Sequence, residues 1–153
     1  MSPPRLAPVP GDHDGLLSMT REGVHRTLGV EVVSASPERV ELRLEVGPRV
    51  HQPYGLLHGG VSALLAESAA SIGAAAAAPP GHQVVGIELN ASHVRGMRAG
   101  TLTAVATPVK VGRRVQVWTV ELTDEQGQAI CVARCSLAVL EPRTDPGTAT
   151  VGT

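Results

Sequence analysis

The chain has 153 residues, a formal net charge of −1 and two cysteines, which suits one domain able to bury a core without disulfides or metals. With no basic excess, and with Tyr54 and Trp118 as its only aromatic residues, it lacks both the field that holds a phosphate backbone and the rings on which bases stack, so no nucleic-acid partner is expected. The core must be built from Val, Leu and Ala.

The start, MSPPRLAPVPGDHD, has no apolar stretch of the signal-peptide kind, so the chain is expected in the cytoplasm. Residues 1–13 are rich in Pro, and EPRTDPGTATVGT from Glu141 onward has no periodicity. Both segments, 1–13 and 141–153, read as mobile tails around a folded domain over 14–140. Asp14 is positioned to cap an amphipathic helix through about Leu28, with Leu16, Leu17, Val24 and Leu28 as its apolar side. Two strands follow. In the second, Val40, Leu42, Leu44 and Val46 alternate with Glu41, Arg43 and Glu45, the period of a sheet with one dry face and one wet face.

From about Gly59 to Ala78 the sequence is almost wholly Ala, Leu, Ser, Val and Gly, and it stops at Pro79-Pro80. This predicts one long helix. Its single charge, Glu67, leaves it no wet face, so it is expected to be buried nearly all round. A membrane span competes for such a run, but the weakly hydrophobic Ala, Ser and Gly content and the central acid favour a core helix, with no membrane partner.

Four more strands are expected, over about 83–94, 101–110, 114–123 and 129–140. Trp118, Val120 and Leu122 alternate in the third, and TDEQGQ at 123–128 supplies the turn into the fourth. Cys131 and Cys135, four apart in an apolar run, read as buried packing residues rather than a redox or metal pair. Together these elements make an α+β chain whose antiparallel sheet must curl around the long helix.

The chemistry gathers around that helix. Gly59 and Gly60 sit where it begins, and there the first N–H groups have no carbonyl partner inside the helix. Such a terminus attracts an oxyanion, and glycine admits a close approach. Relief of crowding between loop and helix is the plainer reading of Gly-Gly alone. Glu67 must be neutral, paired or open to a cavity, since its own helix offers no cation. Arg43, Arg95 and Arg134 are the partners a paired carboxylate would take. Ser71, one turn further on the same face, is in reach of Glu67 or of a water beside it, or bonds back to a helix carbonyl. Gln52 and His58 lie in the preceding loop and can converge on the helix start. His51, His58 and His93 lack the spacing of a zinc site and have no thiolate pair beside them, so no metal is expected.

Those residues carry a resemblance. QPYGLLHGGVSALLAES, Gln52 to Ser68, is similar to the signature of hotdog-fold acyl-CoA thioesterases. It resembles most the PaaI-like branch of the 4HBT superfamily, with Glu-type 4-hydroxybenzoyl-CoA, enterobactin-proofreading and 1,4-dihydroxy-2-naphthoyl-CoA thioesterases. The resemblance continues through VVGIELNASHVR, Val84 to Arg95, and from Gly112 to Leu140. It implies a hotdog fold and hydrolysis of an aryl or medium acyl thioester of CoA, or of an acyl carrier protein, without a cofactor. It also implies Glu67 as nucleophile or general base and the Gly59 N–H as oxyanion donor. His58 and Gln52 would then position the thioester, Ser71 would orient water, and Gly60 and His93 would border the substrate.

The helix rises about 12 Å from Gly59 to Glu67, at roughly 1.5 Å per residue, which is more than a Glu side chain spans. The two groups are therefore expected from different subunits of a two-fold homodimer, and the resemblance implies that such dimers pair into a tetramer, a dimer of dimers. CoA phosphates call for cations at the pocket mouth. Arg95, Arg113 and Arg114 are the candidates, with Arg143 in the tail behind them. Each also reads as an arginine solvated at a strand end. Two other functions stay open: a hotdog hydratase or dehydratase, and a hotdog module that binds acyl-CoA without turnover.

Overall fold

Among the described residues six strands, in the spatial order 31–35, 40–46, 100–111, 115–123, 129–140 and 83–93, form one antiparallel sheet, and all of them pack against one helix. The computed structural model describes Gly15, Ser18 and residues 21–142. In chain order the elements are α1 (Gly23–Leu28), β1 (Glu31–Ala35), β2 (Val40–Val46), a 3-10 turn (Pro48–Val50), α2 (Gly59–Ala77), β3 (Gln83–His93), β4 (Gly100–Val111), β5 (Val115–Thr123) and β6 (Ala129–Leu140). This is the expected α+β hotdog architecture, a sheet wrapped on a central helix.

The expected first helix is interrupted. Gly15 and Ser18 are helical, but Gly23 has φ +64°, outside a right-handed helix, so α1 begins afresh there. Val24 is exposed and Leu28 half-buried, so only the second faces the core. Asp14, Leu16, Leu17, Arg143 and nearly all of the two tail segments lie outside the described residues.

The sheet follows its period-two pattern closely. Val40, Leu42, Leu44 and Val46 face inward, and Arg39 and Arg43 both bond Glu41 on the outer side. At the turn after β5, Asp124 accepts from the N–H groups of Gln126 and Gln128 through Oδ1. Gly127, at φ +75°, completes it. Both cysteines are free and buried. α2 is long and apolar enough to cross a bilayer, yet its Leu65, Ala66, Ala69, Ala70 and Ala74 are wholly buried against the sheet.

Small residues on α2 let the sheet approach closely. Trp118, fully buried, lies over Gly73 so tightly that a Cβ there would come within 2.5 Å of its ring. The indole N–H donates to Gln116 Oε1 at 2.9 Å, and Gln116 Nε2 donates to the Ala74 carbonyl at 3.1 Å. The pair thus supplies a donor to an α2 carbonyl at the C-terminal end, where helical partners run out. Gly73→Ala should overpack this contact and lower the free energy of unfolding by about 1–3 kcal/mol, measured by urea denaturation. An unchanged midpoint would mean that the sheet yields without cost.

One expectation about α2 needs correction. It is not enclosed all round: Gly60 and Glu67 are exposed, and Val61, Leu64, Ser68, Ser71 and Ala75 are half-buried. These positions recur at helical spacing as one open stripe. The physical reason is the topology. β3 ends the sheet beside this stripe, so a single chain has no further strand to close over it.

Candidate active site

The loop before α2 is held at many points. Leu57 is buried and its N–H donates to the Met97 carbonyl at 2.7 Å, while the His58 N–H donates to the Val50 carbonyl at 2.9 Å. Just before them, Gly55 at φ +73° turns the chain, and its N–H reaches the Gln52 carbonyl. The Tyr54 N–H donates to Gln52 Oε1 at 2.7 Å. That bond uses the carboxamide oxygen and leaves the NH2 of Gln52 as the end available to an acceptor.

His58 caps α2. The Gly60 N–H donates to His58 Nδ1 at 2.9 Å, which puts the hydrogen of the neutral ring on Nε2. The next two amides, Val61 and Ser62, both bond the His58 carbonyl. The Gly59 N–H has no acceptor among the described residues. Of the first-turn amides it alone is left over, at the positive end of a nineteen-residue helix.

A cleft of about 360 Å3 opens at this point, lined by Gln52, Gly59, Ser62, His93 and Arg95 among apolar walls that include Leu56 and Ile130. His93, at the end of β3, lies against Gly59: a Cβ there would sit 3.0 Å from its Nε2. A residue larger than glycine would have to push this ring aside. Gln52, Gly59, His93 and Arg95 are thus brought together. His58 is beside them as the cap but does not form a wall of the cleft, and Gly60 spends its N–H on His58. Ser62 was not singled out in the sequence. Its signal was a polar residue three positions after Gly59, on the same helical face.

Glu67 is elsewhere. Its carboxylate faces Gly86 of β3, where any Cβ would collide with Oε1. Gly86 and His93 are seven positions apart, roughly 23 Å of extended strand at about 3.3 Å per residue. Within one chain the acid therefore does not reach the Gly59 cleft. The arginine partners weighed for Glu67 are occupied or distant: Arg43 pairs with Glu41 at 2.9 Å, Arg134 stands 3.9 Å from Glu88, and Arg95 lines the cleft. Among the described residues Glu67 has no ion pair. It is also exposed in the chain, so burial within one copy does not desolvate it as the sequence had suggested.

Ser71 shares the open stripe with Glu67 but makes no hydrogen bond to it. Its neighbour Ser68 bonds His25 Nε2 at 2.8 Å, tying α1 to α2. Burial lowers the pKa of that histidine, favouring its neutral form. Nearby, burial and the Glu67 and Glu88 carboxylates push the Cys135 thiol up to about 11. A protonated thiol is a poor nucleophile. His51 donates to the Arg98 carbonyl at 2.7 Å and stays apart from His93. Arg113 and Arg114 are exposed in the β4–β5 turn, next to the start of β3, whereas Arg95 is at its far end. The three arginines do not form one cluster within the chain.

A sequence model described as "Thioesterase superfamily" (4HBT) matches residues 54–131. A 1,4-dihydroxy-2-naphthoyl-CoA hydrolase of Listeria monocytogenes serotype 1/2a (strain 10403S) is 46% identical over 121 residues, covering 79% of this chain and 98% of that protein. The proofreading thioesterase EntH of Cronobacter turicensis is 41% identical over 113 residues, covering 74% and 82%. The crystal structure of a thioesterase from Haemophilus influenzae superposes with a TM-score of 0.82 at 34% identity, covering 88% of this chain and 94% of that one.

Proposed function

Because the chain belongs to the thioesterase superfamily and is a thioester hydrolase, we propose that it cleaves acyl-CoA carrying an aryl or medium acyl group, using Gly59 and Glu67 from two copies. The observation that carries this reading is the pair of unmet groups on α2: an amide donor without an acceptor at Gly59, and a carboxylate without a cation at Glu67.

The Gly59 N–H donates to the thioester carbonyl, with the Gln52 NH2 positioning the same group. Glu67 acts at the carbonyl carbon as base or nucleophile. As base, it takes a proton from water while the water oxygen bonds to carbon and the carbonyl π pair moves onto oxygen. When the carbonyl re-forms, the C–S pair leaves with the CoA sulfur, which takes the proton back from Glu67. Acid and thiol are the products, and charge built up on the carbonyl oxygen is met by fixed donors.

A second copy supplies the missing half. β3 is an eleven-residue edge strand with Val85 and Ile87 exposed, the kind of edge that pairs unless protected. Two-fold antiparallel pairing along it crosses the ends of the two strands. The partner subunit's Glu67 then moves toward the His93 end, where Gly59 waits, and the open stripe of α2 is covered. The same crossing carries the partner's Arg113 and Arg114 toward Arg95, giving CoA phosphates cations from both chains.

Release of free thiol from a panel of aromatic and aliphatic acyl-CoAs tests the reading. Steady turnover of at least one aryl or medium acyl-CoA is expected. Tight binding of the panel with no thiol released would sink it in favour of a binding module.

A further inference from the structure

Among the described residues two polar side chains are buried, Gln116 and Ser62. Gln116 is satisfied at both ends, by Trp118 and Ala74. Ser62 is 2% exposed, and its hydroxyl has no hydrogen-bond partner among the described residues. A serine inside a helix ordinarily bonds the carbonyl four residues back, and Ser62 does not bond that of His58. Nor is its oxygen sealed away, since among the described residues no fully enclosed polar side-chain atom lacks a partner, and Ser62 lines the cleft. A buried hydroxyl that forgoes every protein acceptor while bordering a cavity is arranged for something that enters the cavity.

The position of Ser62 says which atom that is. It lies three residues after Gly59 on the same helical face, about 4.5 Å along the axis, and helix side chains tilt back toward the N-terminus. Its hydroxyl therefore reaches back over the first turn, where the Gly59 N–H is also without an acceptor and opens on the same cleft. Both residues line the same cleft, and neither donor has an acceptor among the described residues. A nucleophilic role would need a base hydrogen-bonded to the hydroxyl, and none of the described residues provides one.

We propose that the Ser62 hydroxyl is a second oxyanion donor, giving its hydrogen to the same thioester oxygen as the Gly59 N–H. This rests on the assignment of Gly59 above and adds to it a side chain that touches the reacting carbonyl. No proton is transferred by Ser62. Its hydrogen bond strengthens as the carbonyl π pair moves onto oxygen and relaxes when the carbonyl re-forms, so its effect is on turnover more than on binding.

The test uses Ser62→Ala, a change that an Ala-rich helix accepts readily. On the best acyl-CoA, kcat should fall on the order of 100-fold, with KM within about twofold and the thermal midpoint not lowered. A second measurement separates this from a packing effect. The infrared band of the carbonyl is recorded for benzoyl-CoA, labelled with carbon-13 at that carbon, bound to the inactive Glu67→Ala protein and to the Glu67→Ala/Ser62→Ala protein. The band should lie below that of free benzoyl-CoA in the first and move back toward it in the second. An unshifted kcat, or a band that ignores Ser62, overturns the proposal while leaving Gly59 as donor. A bound carbonyl with the same band as free ligand in Glu67→Ala removes the oxyanion site altogether, and Ser62 with it.

Discussion

Glu67→Ala should lower turnover by about 10³-fold or more while leaving the unfolding transition where it is in the unaltered protein. A positioned general base contributes roughly 10² to 10⁴ in rate, and a nucleophile at least as much, so its removal leaves only binding and the oxyanion donors. The stability half of the expectation follows from surroundings. The carboxylate is exposed within the chain and forms no ion pair among the described residues, and truncation at such a position shifts stability by within about 0.5 kcal/mol. Glu67→Gln should behave alike, since it keeps the shape and removes the basicity. Steady-state kinetics beside thermal unfolding reads both halves. Near-normal turnover, or a protein that no longer folds, would return Glu67 to a structural role.

Mixing two inactive variants should restore about a quarter of full activity. Glu67→Ala lacks the acid. Gly59→Val crowds the amide, because its side chain must displace the His93 ring that already lies against Gly59. Co-refolded in equal amounts, half the dimers pair at random as one of each, and in these one site of two combines an intact Gly59 with an intact Glu67. Homodimers of either variant have no good site. Recovery to that level, with hetero-dimers verified by differential tags, is the signature of sites built across the β3 edge. Hetero-dimers without activity would mean that each chain works alone.

Much of this arrangement was legible from residue patterns, and the exceptions have physical causes. The ends of β3, β4, β5 and β6 fell within one residue of expectation because alternation and turn chemistry act locally. The convergence of Gln52, Gly59 and the helix start was readable because loop, cap and glycine pair are contiguous. The open stripe on α2 was not. A run without charges looks buried on all sides, and nothing in its composition tells that β3 is the last strand beside it. Glu67 was recognised as anomalous on the expectation of burial, but its neighbours within the chain leave it exposed. Arg113 and Arg114 resembled Arg95 as strand-end cations, and only the register of β3, β5 and β6 reveals that they stand at the other end of the sheet. Ser62 passed unnoticed because serine among alanines is unremarkable until its hydroxyl is found without a partner.

Trp118 has a use that its packing against Gly73 creates. It is the only tryptophan in the chain, fully buried, and fixed by one hydrogen bond to Gln116. Its emission therefore reports a single place, the contact between the central helix and the middle of the sheet. In the folded protein the indole is shielded from water and emits at shorter wavelength. Once the sheet separates from α2, that emission moves to the red. The chain thus carries a built-in optical probe of its own core.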